Sequence, residues 1–338
     1  DILSFINETV LPMSSYFSRL TKLLFELESV GGNVYRSILI PGSQPLWQGT
    51  RRGLFGGQVA AQCLSAAYKT VPEDRLCHSF HSYFISLGDQ ALPVYYHVSQ
   101  IRDGRSYTSR MIEGVQKDKT IFSMIASFSK PEADIVHITQ PMPKTLQPED
   151  LDLMGFLAAL IANEDLSPNL RKAVKQRVEQ FTHVPVELQP TDPLVYFRVR
   201  PSDEPTVHSW VRFREAQETE AQLSSQQSHI LTTYLADMGI LVAGLSSVRL
   251  HKAFVTSLDH SVYFHEPMLS PSDYLLSESH CLYGGRGRTS NKGNLWRRDG
   301  SLVATIFQEG LVRMQRPTEK ERASGAANVS VGDAGVKA

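Results

Sequence analysis

Two stretches of this chain follow one plan. Residues 54–69, LFGGQVAAQCLSAAYK, read as a helix that opens after Gly56-Gly57. Its residues are small or apolar nearly all round, as in a helix enclosed by other structure. After CHSFHSYFISLGD (77–89) come three strand-like runs: LPVYYHVSQI (92–101), SYTSRMIEGVQ (106–116) and TIFSMIASF (120–128). Asp103-Gly104 and the KDK of 117–119 separate them as turns. Connections so short join antiparallel neighbours. The second half repeats this order. ADMGILVAGLSS (236–247) lines up with GGQVAAQCLSAA, and Tyr263-Phe264 falls on Tyr83-Phe84. One residue further out of step, Gly285-Arg286 meets Gly104-Arg105, Thr289-Ser290 meets Thr108-Ser109, Asp299 meets Asp118 and Ile306 meets Ile125. Matches in order on one helix-then-meander plan indicate an internal repeat. The fold class is therefore α+β: a helix and an antiparallel meander, twice.

The 338 residues suit about two domains of roughly 150 residues each. At 41% hydrophobic and 20% charged, the chain can bury ordinary cores. A net charge of −1 gives no global pull toward nucleic acid or an anionic surface, so no nucleic-acid partner is expected. Cys63, Cys77 and Cys281 lie far apart, with no disulfide framework and no metal spacing. A reducing compartment and no metal are expected. No apolar run reaches the roughly 18 residues of a membrane span. DILSFINETVLPM lacks the basic start of a signal peptide.

Between the repeats, residues 129–153 are rich in Pro and charge and read as linker, followed by short helical patterns over 153–164 and 167–181. These are expected to pack across a sheet or cover an entrance. The expected organisation is an extension over 1–23, a first unit over 24–130, a linker with short helices over 131–185, a second unit over 186–316, and a disordered tail over 317–338.

Asp237 heads an otherwise apolar run, TTYLADMGILVAGLSSV. Buried carboxylates need partners. It reads as the N-cap of a following helix, or as a chemical group. In the repeat it aligns with Gly57, so the first copy dispenses with it. Ser257 aligns with Cys77, and Gln308 with Ser127. A carboxylate, a hydroxyl and an amide thus occur in the second copy only. The carboxylate can take a proton from water, and the other two can hold that water. The N–H groups at Gly57 and Gln58, where the first helix begins, are the candidate oxyanion donors. Asp259-His260 resembles an acid–base pair, but strand neighbours point to opposite faces, which favours structural hydrogen bonding. The Gly- and Arg-rich YGGRGRTSNKG (283–293) reads as a hairpin turn or as a phosphate contact.

LFGGQVAAQ, HSFHSYFISLGD, IRDGRSYTSR, SLDHSVYFH and LVATIFQEGLVRM carry a resemblance over roughly residues 24–130 and 207–315. The chain resembles the acyl-CoA thioesterase II family, the TesB-like enzymes that include peroxisomal acyl-CoA thioesterases. The resemblance implies two tandem hotdog folds, each an antiparallel sheet wrapped around a long helix. The family's catalytic Asp falls on Asp237, its Ser/Thr on Ser257 and its Gln on Gln308, which together activate a water. It implies acyl-CoA as substrate, free fatty acid and coenzyme A as products, and a peroxisomal matrix location. The C-terminal Val336-Lys337-Ala338 is not an S-K-L-type address, and a cytoplasmic location is the alternative. No cofactor is expected, because a thioester is already reactive. A homo-oligomer, dimer or higher, is expected. Ser86-Leu87 stands where members often show Arg-Pro. The rival readings are a hotdog enoyl-CoA hydratase, which generally needs an Asp/His couple, and a non-catalytic acyl-CoA-binding protein.

Overall fold

The structure is a computed structural model. It describes residues 16–38, 53–133, 135–182, 184–216, 223–248, 253–268 and 270–314. The tail expected over 317–338 and most of the 1–23 extension lie outside these residues.

The first unit opens with helix α1 (Tyr16–Phe25) and the hairpin β1 (Leu27–Gly31) and β2 (Val34–Ser37). Helix α2 (Gly56–Tyr68) then leads into β3 (Leu76–Phe84), β4 (Tyr95–Asp103), β5 (Tyr107–Gln116) and β6 (Lys119–Ser129). A linker carries α3 (Leu153–Ala162) and α4 (Pro168–Thr182). The second unit contains β7 (Val186–Pro190), the single turn α5 (Pro193–Tyr196), β8 (Thr206–Phe213) and helix α6 (Ser225–Ala236). It ends with β9 (Ala253–Ser257), β10 (Asp259–Phe264), β11 (Leu275–Gly285), β12 (Arg288–Arg297) and β13 (Leu302–Met314).

Among the described residues the strands make one sheet in the order β1-β2-β4-β5-β6-β3-β10-β13-β12-β11-β8-β7, with β9 beside β13. The two meanders join edge to edge through β3 and β10. In that seam Phe80 pairs with Val262, His81 with Ser261 and Ser82 with His260. A shift of 180 residues turns the first of these pairs into the third, so the copies are related by a local two-fold at His81 and Ser261. A closed seam also removes two exposed sheet edges.

Helices α2 and α6 lie side by side, enclosed by the sheet. Ala60, Ala61, Cys63, Leu64, Ala66 and Ala67 of α2 are fully buried. Such small side chains let a neighbouring helix approach closely. Gln62 is also buried, and its polar atoms are met: Nε2 donates to Leu23 O (2.8 Å) and Oε1 accepts from the Tyr96 hydroxyl (2.6 Å). One large core spans both units. A second, small core of Trp210, Leu276 and Trp296 is roofed by Met142 and Leu151 of the linker. Trp210 Nε1 donates to Leu146 O (2.8 Å), so the linker segment before α3 packs on the sheet.

The repeat alignment needs two corrections. First, the second unit's helix is Ser225–Ala236, which ends where ADMGILVAGLSS begins. That segment contains turns and one short 3-10 turn, Ala243–Leu245. Asp237 is the C-cap of α6, as Lys69 is of α2, so Lys69 and not Gly57 is its counterpart. Ser224-Gln-Gln-Gln227 is the signal that marks the helix start: it forms a capping box, in which Ser224 accepts from Gln227 N and the Gln227 side chain accepts from Ser224 N. Second, His81 pairs with Ile125 while Ser261 pairs with Phe307. Phe307 therefore answers Ile125, both exposed, and Gln308 answers buried Ala126 rather than Ser127. A one-residue slip moves a side chain to the other face of a strand, which is why this error matters.

Candidate active site

Three elements deliver the three polar groups. Asp237 ends α6, Ser257 ends β9, and Gln308 points inward from β13. Ser257 lies opposite Gly310, and Leu258 N donates to Glu309 O (2.8 Å), so β9 is held beside β13 just before the chain turns into β10. Gln308 Nε2 donates to Asp237 Oδ1 (2.8 Å) and to Ser257 Oγ (2.5 Å). The amide thus spends both hydrogens on the other two members. The three residues expected from the sequence converge.

Asp237 titrates at about 6, above its ordinary value of 3.8. Burial raises it, and hydrogen bonds from Gln308, the Gly57 N–H and Ser257 hold it back. The Gly57 bond answers what Asp237 does structurally. It is not the N-cap of its own helix. It sits at the N-terminus of α2, whose own N-cap residue, Phe55, makes no side-chain capping bond. The carboxylate of one unit therefore caps the helix of the other, where the helix dipole favours negative charge.

This geometry revises the expected oxyanion donors. The Gly57 N–H goes to Asp237, and the Gln58 N–H to Phe55 O (3.1 Å). Both are engaged within the protein because the carboxylate occupies the helix start. The two glycines are required for another reason. A Cβ at Gly57 would lie 2.8 Å from Tyr234 O, and one at Gly56 would lie 2.7 Å from Asp237 Oδ2 and from the Phe84 ring. The helices touch backbone to backbone here. Gly57→Ala is expected to destabilise the fold by about 1–3 kcal/mol, because the added methyl would meet both the Tyr234 carbonyl and the Phe55 ring. Gly56→Ala is expected to lower kcat more than Tm, because its methyl presses on the carboxylate. Thermal melts and turnover of the two variants, measured together, check this split.

The two-fold counterpart at the far end of the helix pair is filled and lacks the same groups. Lys69, Cys77 and Ala126 stand where Asp237, Ser257 and Gln308 stand in the second unit. The Tyr68 hydroxyl there meets His229 Nδ1 (3.0 Å) and accepts from Cys77 N (3.0 Å). His229 stacks on Phe264, and burial lowers its pKa to about 4.

Asp259 accepts the Glu309 N–H (2.5 Å), which ties the bulge before β10 to β13, a structural role. The segment 283–293 contains a hairpin between β11 and β12, with Arg286 (φ 51°) and Gly287 (φ 75°) at its turn. Positive φ at both central residues matches the twist of the flanking strands. No helix among the described residues is long and apolar enough to cross a membrane.

Comparison with known proteins agrees with the fold. The acyl-CoA thioesterase N-terminal domain family matches residues 44–129, and the acyl-CoA thioesterase C-terminal domain family matches 148–312. The chain is similar to acyl-coenzyme A thioesterase 8 of Mus musculus, 33% identical over 302 residues, covering 88% of this chain and 90% of that protein. It is similar to acyl-CoA thioesterase 2 of Haemophilus influenzae, 33% identical over 309 residues, covering 89% and 99%. The crystal structure of the acyl-CoA thioesterase II TesB2 from Mycobacterium marinum superposes with a TM-score of 0.66 at 26% identity, covering 87% of this chain and 98% of that one. The chain belongs to the acyl-CoA thioesterase family of double-hotdog proteins, and it is a thioester hydrolase.

Proposed function

We propose that the protein hydrolyses acyl-CoA to a free fatty acid and coenzyme A by a water that Asp237 activates as general base together with Ser257 and Gln308, the Gln308 amide ordering the other two around that water. The observation that carries this reading is the amide of Gln308 bridging Asp237 and Ser257 at 2.8 and 2.5 Å. Three polar groups from three elements meet here, and one is a carboxylate titrating at about 6. A base tuned toward the working pH is ionised enough to act and basic enough to accept a proton. Water loses its proton to Asp237 as its oxygen attacks the thioester carbonyl. Ser257 accepts from Gln308, gives its proton to Asp237 and turns its remaining lone pair toward the same water. Collapse of the tetrahedral adduct expels the coenzyme A thiolate, which takes the proton that Asp237 accepted from the water and so restores the carboxylate. The Gly57 N–H orients the carboxylate in this scheme rather than serving as oxyanion donor. No group beyond the chain is required.

The names of the relatives support acyl-CoA as the substrate class. We keep residues 24–130 and 186–316 as the two hotdog units, a homo-oligomeric assembly, and a peroxisomal location as parts of this proposal. The last rests on family resemblance. Thiol release from acyl-CoA substrates of graded chain length tests the reading. A hydratase would yield hydrated acyl-CoA without thiol, and a binding protein would yield neither.

The pH dependence is a separate check. Only ionised Asp237 accepts a proton. Below about 6, kcat/KM is expected to fall about tenfold per pH unit, and above it to level off. A flat profile between pH 4.5 and 7 would remove Asp237 as the base.

A further inference from the structure

We infer that His260 is a positioning residue for this site: its imidazole N–H holds Gln308 Oε1 and so keeps the amide hydrogens aimed at Asp237 and Ser257. The inference rests on the reading of Asp237, Ser257 and Gln308 as the reacting group.

Ser261 pairs with Phe307 in the β10–β13 ladder, which puts His260 and Gln308 at the adjoining position. Both side chains point inward, 0% and 2% exposed. Side chains opposite each other on one face of a sheet have Cβ atoms about 5 Å apart. Neither His260 Nδ1 nor Nε2 has a hydrogen-bond partner among the described residues, and neither does Gln308 Oε1. Buried polar atoms without partners are rare, and here three of them belong to two side chains that share one ladder position and one face. Gln308 raises the imidazole's pKa against the effect of burial, as an acceptor beside its N–H does.

The amide opposite Gln308 is spent. Asn291, opposite Gln308 on β12, gives its Nδ2 hydrogens to Thr289 Oγ1 (3.1 Å) and to the Gln308 backbone carbonyl (3.2 Å). His260 is itself fixed: its carbonyl accepts from Ser82 Oγ (2.7 Å), and its ring packs on Phe80 at 5.8 Å between centroids. Burial lowers its pKa to about 4, so near neutral pH it is a neutral ring with one N–H to give. An amide has two orientations. The wrong one would turn Oε1 toward the Asp237 carboxylate and leave Ser257 without its donor. A donor on Oε1 selects the right one.

A double-mutant cycle tests this, with thiol release as the readout. His260→Phe keeps the ring volume and removes the donor. In the wild-type background kcat is expected to fall about 10- to 100-fold with KM little changed. In the Gln308→Ala background the same change is expected to have no further effect. His260→Gln, which restores an N–H, is expected to recover part of the loss. A loss of the same size in both backgrounds, or no loss in either, overturns the inference. Asp237→Asn and Gln308→Ala alone test the underlying reading, so the two failures are distinguishable. Should His260→Phe not fold, the ¹⁵N shifts of the His260 ring decide. They are expected to change between wild type and Gln308→Ala, and unchanged shifts overturn the inference.

Discussion

The Asp237→Asn enzyme is expected to turn over acyl-CoA roughly 10²–10⁴ times more slowly than wild type, with KM little changed. Asn matches Asp in shape and can still accept from one neighbour, so the fold around Gln308 and Gly57 is kept. What is lost, on the proposed mechanism, is the base. The same substitution separates chemistry from structure through its effect on stability. Asp237 titrates at about 6 in the folded protein against an ordinary 3.8. A carboxyl whose pKa is raised on folding favours the folded state while protonated. That contribution is complete below about 3.8 and is lost as pH rises through about 6. Keeping the buried carboxyl ionised at high pH therefore costs the folded state roughly 3 kcal/mol. Asn stays neutral throughout and avoids this loss, but it leaves one of the two N–H donors without an acceptor, which costs roughly 1 kcal/mol or more. Relative to wild type, the variant is therefore expected to gain stability between pH 4 and pH 8. Unfolding midpoints at the two pH values check this. A variant with near-normal turnover would reduce Asp237 to a cap for α2.

Gln308→Glu is expected to move the acid limb of the pH–rate profile upward by about one pH unit or more and to lower kcat near pH 7 by roughly 10²-fold. The amide nitrogen now lies 2.8 Å from Asp237 Oδ1. A carboxylate in its place makes a pair that cannot readily carry two negative charges, so one proton is shared between the two groups. The base is then blocked at pH values where the wild type works. Ser257 also loses its donor whenever the new carboxyl is ionised. Partial recovery of rate toward pH 9 is expected, as the shared proton leaves. A full profile from pH 5 to 9 provides the check. An acid limb that stays where it is in wild type would mean that Gln308 and Asp237 do not act on one proton.

How much of this was legible in the sequence differs from element to element. Helix α2 was readable over 54–69 because its enclosure leaves an unusual run of Ala, Gly and Cys. Strands β5 and β6 were readable because Asp103-Gly104 and Lys117-Asp118 punctuate them. The second helix was misplaced by about one helix length. Its sequence, SQQSHILTTYLA, is polar by composition, yet the positions from Ser228 to Ala236 are buried. The neighbouring apolar run 238–248 looked more helical than the helix. Only the capping box at Ser224 and Gln227 marked the true start, and local chemistry of that kind outweighs hydrophobicity at a helix end.

The residues of the site show the same division. Residue types and their order along the chain, with the family motifs they form, were enough to name Asp237, Ser257 and Gln308. Their absence from the first copy is true in either alignment, because Lys69 and Ala126 lack the chemistry as plainly as Gly57 and Ser127 do. What Asp237 caps was not legible. Its partner lies on the other unit's helix, and α2 and α6 meet only because the β3–β10 seam closes the sheet around both. The oxyanion expectation at Gly57 and Gln58 failed for the same reason: a helix start looks open in sequence, and only packing shows that a carboxylate already fills it. The sequence by itself determined the repeat, the antiparallel class and the identity of the polar trio. Tertiary structure alone decided which helix end they face, which strand register turns Gln308 inward, and that His260 lies beside it, because pairing register and burial are set by contacts between residues far apart in the chain.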